Sequence, residues 1–93
     1  MINLYQKTWS EIDMEIAARL VRLRKRKKIS QKELACKSGV SLGSLKRFEQ
    51  QGEISLQSLT KLAIALNVEE ELESLFGEVP FGSIEEVLNE QTN

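Results

Sequence analysis

The chain has 93 residues, of which 41% are hydrophobic and 29% charged, with one proline and five glycines. This length predicts one small domain, and so few turn-forming residues disfavour an all-β fold. One cysteine and no histidine exclude an internal disulfide and leave no ligand set for a structural zinc site, and nothing indicates a cofactor. Because no run of about 18 apolar residues is present, we expect no membrane segment and a cytoplasmic, nucleoid-associated location.

The charge is distributed very unevenly, although the formal net charge is only −1. Residues 1–18 have a net charge of −2, residues 19–61 of +9, and residues 62–93 of −8. A basic surface gains free energy beside a phosphate backbone through counterion release, so the middle segment predicts a nucleic-acid partner. The alternative is that the basic and acidic segments only pair with each other in the fold.

The first predicted helix runs from about residue 10 to residue 27, with a capping box at Thr8 or Ser10. Positively charged side chains are favoured at a helix C-terminus, but that preference explains only two or three of the seven basic residues near the end of this helix. The apolar stripe that marks its buried face is Ile12, Ile16, Leu20 and Leu23. The basic cluster at its end is Arg19, Arg22, Arg24, Lys25, Arg26, Lys27 and Lys28.

Two short helices follow, separated by a glycine turn. Ser30 and Glu33 have capping-box spacing, and Gly39 stands where a left-handed C-cap is expected. Ser41 caps the next helix, which is predicted over residues 42–50 and ends before Gly52. The residues expected to face inward are Leu34, Ala35, Leu45 and Phe48.

The last part of the chain is acidic. Ser55 caps a fourth helix, and residues 69–71, all glutamate, suit the N-terminus of a fifth. The residues expected to cover the core are Leu59, Leu62, Ala63, Leu66, Leu72, Leu75 and Phe76. Residues 1–77 are thus predicted as the domain. Residues 78–93, with a short amphipathic piece carrying Ile84, Val87 and Leu88, form either a partner-binding or dimerising extension or a solubilising tail.

The stretch from Ser30 to Gly52, SQKELACKSGVSLGSLKRFEQQG, has the pattern helix, glycine turn, helix. It resembles the helix-turn-helix of the phage-repressor (Cro/C1-type, XRE) family. The resemblance covers about residues 12–76 and implies an all-α, five-helix phage-repressor-like domain with a short C-terminal extension. It also implies binding to double-stranded DNA, with the second helix of the motif in the major groove.

The resemblance implies particular DNA contacts. A glutamine matching Gln31 contacts phosphate and an edge base, and the base-reading positions fall on residues 42–44 and Arg47. Chemically, Arg47 can bond guanine bidentately or clamp a phosphate, and Lys46 suits phosphate. Gly43 departs from the long polar residue usual there and has no side chain to read with. The predicted DNA-contacting residues are Arg24, Gln31, Lys32, Ser41, Leu42, Gly43, Ser44, Lys46 and Arg47.

Two further residues admit alternative interpretations. Glu49 is either a solvated acid near DNA or, as the resemblance implies, the partner of Arg24 beneath the motif; we favour the pair. Cys36 is interpreted as a small filler near the helix crossing rather than a redox switch.

The sequence disfavours an enzyme, because it lacks histidine and a glycine-rich phosphate loop. The first functional hypothesis is a repressor that binds a palindromic operator as a homodimer. The second is an antitoxin, because residues 43–49, 52–56 and 75–76 look like HipB-type antitoxins, whose partner is a HipA-type kinase toxin. A stand-alone XRE-type regulator is the alternative to the antitoxin. A scaffold that makes only protein contacts is disfavoured by the basic segment.

Overall fold

The computed structural model describes residues 6–78, which form five α-helices and contain no β-strand. The predicted all-α fold is therefore confirmed, and the observed helix ends lie within about two residues of those expected for the first four helices. The helices are α1 (Trp9–Arg26), α2 (Gln31–Ser38), α3 (Leu42–Gln51), α4 (Leu56–Ala65) and α5 (Glu69–Glu73).

Side-chain caps begin four of the helices. The hydroxyl oxygens of Thr8, Ser30, Ser41 and Ser55 each accept a hydrogen bond from the backbone N–H three residues later. Each such cap stabilises the fold by about 1 kcal/mol. Thr8 rather than Ser10 caps α1, and the Ser30 capping box is complete.

Glycines end α2 and α3. Gly39 and Gly52 have φ angles of 76° and 75°, in the left-handed region that residues with a Cβ rarely adopt. The backbone N–H of Gly39 bonds the carbonyl of Ala35, and that of Gly52 bonds the carbonyl of Phe48. These two turns set where α3 begins and ends on the surface.

The core lies where α3 packs against α1 and α2, and where α2 packs against α4. Its largest fully buried side chains are Phe48, Leu34, Leu45, Leu62 and Leu66. The apolar stripe predicted on α1 is only partly correct. Ala17 and Leu20 are buried, whereas Ile12 is exposed because it lies at the N-terminal end of α1, away from the core cluster.

Three other sequence predictions about burial are wrong. Cys36 is exposed and fills no gap at the helix crossing. Leu75 and Phe76, expected to cover the core, are 50% and 91% exposed. The helix α5 ends at Glu73, and the backbone turns at Phe76, where φ is 60°, so these residues do not continue the half-buried face of Leu72. The predicted piece with Ile84, Val87 and Leu88 lies outside the described residues.

Candidate nucleic-acid interface

One side of α3 is anchored in the core and the other is open to solvent. Leu45 and Phe48, three residues apart, are buried against α1 and α2. Leu42, predicted to contact a base, is half-buried. The exposed residues of α3 are Gly43, Ser44, Lys46, Arg47, Gln50 and Gln51.

The N-terminus of α3 is organised by two serines. Ser41 Oγ accepts the backbone N–H of Ser44 at 3.1 Å and donates to Ser44 Oγ at 2.8 Å. Because Ser44 Oγ acts as the acceptor in that contact, its own proton remains available to an outside acceptor such as a base edge or a phosphate oxygen.

Glu49 is the centre of a largely buried polar cluster beneath α3. Its two carboxylate oxygens accept hydrogen bonds from Arg24 Nε at 2.8 Å and Arg24 Nη2 at 2.9 Å. Glu49 Oε1 also accepts from Gln31 Nε2 at 2.9 Å. The Arg24 and Glu49 side chains are only 10% and 6% exposed, so this bidentate ion pair is shielded from water. Such planar, two-point pairing holds α1 and α3 in one orientation.

This cluster changes the role expected for Arg24. Its third nitrogen, Nη1, donates to the backbone carbonyl of Ile29 at 2.9 Å, which ties the α1–α2 connection to the same cluster. Because Arg24 is buried and bonds at all three nitrogens, we correct the expectation that it reaches phosphate. It is instead a positioning residue. Gln31 is half-buried, and its amide nitrogen donates to Glu49. Its side-chain carbonyl oxygen accepts no hydrogen bond from another of residues 6–78.

Arg47 has an acidic partner that no pattern in the sequence indicates. Its Nε and Nη2 lie 2.8 and 2.7 Å from Glu53 Oε2, and the two side chains are 65% and 55% exposed. Exposed pairs of this kind contribute at most about 1 kcal/mol and exchange readily with other partners. Arg47 is thus preoriented but available. The six-residue separation of Arg47 and Glu53, across the turn at Gly52, gives no helical spacing signal that would have revealed the pair.

Most of the cations near α3 form no salt bridge with another described residue. Within residues 6–78 only three salt bridges form, and they engage Lys7, Arg24 and Arg47. None of the acids in residues 62–78 forms a salt bridge with a basic residue of the described chain. The exposed cations on α2 and α3 are Lys32, Lys37, Lys46 and Arg47.

Gly43 is open on its outer side. A Cβ built on this residue would meet no heavy atom within 4 Å, so the packing of the protein does not require glycine there. Since an unneeded glycine weakens a helix, its presence at the exposed start of α3 is consistent with close approach of another molecule.

Other kinds of site are not apparent in the part of the chain that is described. Among residues 6–78 no group of three or more metal-ligating side chains comes together. None of the helices there combines the length and apolar character needed to cross a membrane.

The helices α2 and α3 have N-terminal caps and are joined by a turn at Gly39, and one face of α3 is exposed beside cations. This arrangement defines the DNA-binding module of a transcription regulator. The chain belongs to the Helix-turn-helix family, whose profile matches residues 20–72, more than half of its length. This is a family of DNA-binding regulators that are generally not enzymes, and the match agrees with the Cro/C1-type resemblance but does not extend to HipB-type antitoxins. Comparison with curated proteins and with solved structures gave no match.

Proposed function

We propose that this protein is a sequence-specific repressor that binds double-stranded DNA with the N-terminal half of α3 in the major groove. The observation that carries the proposal is the exposed face of α3, anchored by Phe48 and Leu45, beside cations that are largely without acidic partners in the described chain. A B-DNA major groove about 12 Å wide admits one such helix.

Roles for individual residues follow from their positions. Arg47 and Ser44 contact base edges, Gly43 allows the helix to approach closely, and Leu42 packs on a thymine methyl group. Lys46 and Lys32 bind phosphates, and the amides at the Ser41 cap favour a phosphate as well. Gln31, oriented by Glu49, accepts or donates at the edge of the site.

The protein acts as a homodimer in this proposal, in the cytoplasm. One small module buries too little surface for high specific affinity, and two recognition helices about 34 Å apart match successive major grooves on one side of a palindromic operator.

Selection from a randomised double-stranded DNA library tests the proposal without assuming any operator sequence. We expect enrichment of an inverted repeat with half-site centres about 10 base pairs apart. Between 50 and 200 mM salt, affinity for the selected duplex should fall by roughly 10³–10⁵-fold if 6–10 phosphates are contacted. Failure to enrich any sequence, with the protein shown to be folded by circular dichroism, would refute it.

Three exposed substitutions separate the roles. Arg47→Ala should weaken binding by about 1–3 kcal/mol and relax the preference at one base pair, whereas Lys46→Ala should weaken all sequences and reduce the salt slope by about 1. Glu53→Gln should strengthen binding, because it removes the acid that competes for Arg47. Unchanged binding in both Arg47→Ala and Lys46→Ala would place the DNA elsewhere.

We further propose that the protein is the autoregulating antitoxin of a HipBA-like system, with a HipA-type kinase toxin as partner. The support is the similarity of residues 43–49 and 52–56 to HipB-type antitoxins; the alternative is an XRE-type regulator without a toxin. Co-purification with the product of an adjacent reading frame of kinase size supports the antitoxin. A promoter that the protein represses alone, with no such neighbour, supports the stand-alone regulator.

A further inference from the structure

An apolar groove opens between α1, α4 and α5, on a side of the molecule that the DNA-binding proposal does not use. It has a volume of about 520 Å³ and is lined by the apolar side chains Ile16, Leu20, Leu23, Leu59, Leu72 and Leu75. Leu75 is half-exposed there, although it was expected to cover the core. A groove of this kind leaves leucine surface in water, which is unfavourable.

Three arginines and one glutamate, Glu71, border the groove, which leaves its rim with an excess of positive charge. Arg19, Arg22 and Arg26 are three and four residues apart on α1 and therefore share one face. At about 100° per residue, this face is nearly opposite Arg24, which contacts α3. None of the three forms a salt bridge with another residue among residues 6–78. Their positive charge is therefore not explained by the ion pair beneath α3.

The sequence that follows the described residues has the complementary composition. Ile84, Val87 and Leu88 have the spacing of one apolar helix face, and Glu85, Glu86 and Glu90 are interspersed with them. Residues 62–93 contain eight acids and no base. An apolar stripe flanked by acids matches an apolar groove whose charged border is three arginines and one glutamate.

The connection is also long enough. Leu75 lines the groove itself, and only five residues separate the last described residue, Glu78, from Ile84. Six steps of the chain span up to about 20 Å. Connections of 2–8 residues commonly join packed helices, so a return of the chain onto the groove has ordinary geometry. Tethering so close to the groove gives the segment a roughly millimolar effective concentration.

We propose that residues 84–90 dock in the α1–α4–α5 groove of their own chain. Ile84, Val87 and Leu88 cover the exposed leucine surface, and the glutamates face Arg19, Arg22 and Arg26. Apolar burial provides most of the stabilisation, because exposed ion pairs contribute little. The docked segment would complete the core that α5 leaves open, and it would hold the acidic tail away from α3.

Paramagnetic relaxation in the 93-residue chain tests this docking. The native cysteine is exposed and is first replaced by Cys36→Ser, and a nitroxide label is then attached at Asn89→Cys. We expect the amide signals of Leu23, Ala63 and Leu72 to lose intensity and those of Gly43 and Arg47, on the α3 surface, to be retained. Adding Leu88→Asp should restore the lost signals, whereas the matched control Thr92→Asp should not.

A mixing experiment separates the possible occupants. Isotope-labelled protein without nitroxide is mixed with unlabelled protein that carries it. Signal loss only in the directly labelled chain supports docking within one chain. Loss of groove signals in the mixed sample would mean that a second copy supplies the segment and would overturn the proposal, as would intact groove signals in both samples. DNA binding by Arg47 and Lys46 is not tested by either result, so the two proposals fail independently.

Discussion

The two sides of α1 show how one residue type acquires different roles from its neighbours. On one side, Arg24 is buried and bonded to Glu49, Ile29 and, through Glu49, to Gln31. On the other side, Arg19, Arg22 and Arg26 border an open apolar groove. The side of α1 that faces α3 is closed and well satisfied, as a helix that must present a fixed surface requires. On the other side, apolar side chains of α1 remain uncovered by any of residues 6–78.

The largest expected effect comes from the same substitution at a buried and at an exposed phenylalanine. Phe48→Ala should lower the free energy of unfolding by about 4–5 kcal/mol, because a fully buried ring leaves a cavity beneath α3. Phe76→Ala should change it by no more than about 0.5 kcal/mol, since that ring is exposed. Urea denaturation followed by circular dichroism measures both. A comparable loss in the two variants would contradict this difference in packing.

The buried ion pair gives the next largest effect. Glu49→Ala should lower the free energy of unfolding by about 3–4 kcal/mol, because Arg24 would remain buried without its counter-charge. The double variant Arg24→Met/Glu49→Leu should lose less than Glu49→Ala alone. In contrast, Glu53→Gln, which breaks the exposed pair with Arg47, should cost less than about 1 kcal/mol. Equal losses from the buried and exposed pairs would show that burial does not decide their contributions.

The two left-handed glycines allow a finer comparison. Gly39→Ala should lose about 1–2 kcal/mol from its positive φ alone, because a Cβ there meets open space. Gly52→Ala should lose about 1 kcal/mol more, because the added Cβ lies 3.1 Å from the backbone carbonyl carbon of Asp13 in α1. Thermal denaturation of the two variants compares them directly. Coinciding midpoints would mean that the contact between α1 and the end of α3 is loose.

The smallest effect is expected for Gly43→Ala, which should stabilise the fold but weaken DNA binding. Gly43→Ala should raise the free energy of unfolding by about 0.5–1 kcal/mol, because the helical site has room for a Cβ. The same methyl group should weaken binding to the selected duplex if α3 approaches DNA closely at this residue. Denaturation and fluorescence anisotropy on one protein preparation provide both values. Tighter binding would remove Gly43 from the proposed interface.

Local patterns in the sequence determined the first four helices and their ends. Ser30 with Glu33, the Ser41 and Ser55 caps, and Gly39 and Gly52 act through hydrogen bonds and φ angles within a few residues, so adjacent sequence suffices to predict them. The inward positions of Leu45 and Phe48 follow from helical periodicity for the same reason. The match of the motif to its family rests on this local information as well.

Only the tertiary structure decided which side chains of one helix lie under another. The exposure of Leu75 and Phe76 depends on where α5 ends, and that of Cys36 on which face α2 turns towards the core; spacing within those helices records neither. The attachment of Gln31 to Glu49, 18 residues away, and the pairing of Arg47 with Glu53 across a turn likewise require coordinates. The physical reason is that burial and long-range hydrogen bonding depend on distances between elements, whereas capping and periodicity depend on distances along the chain.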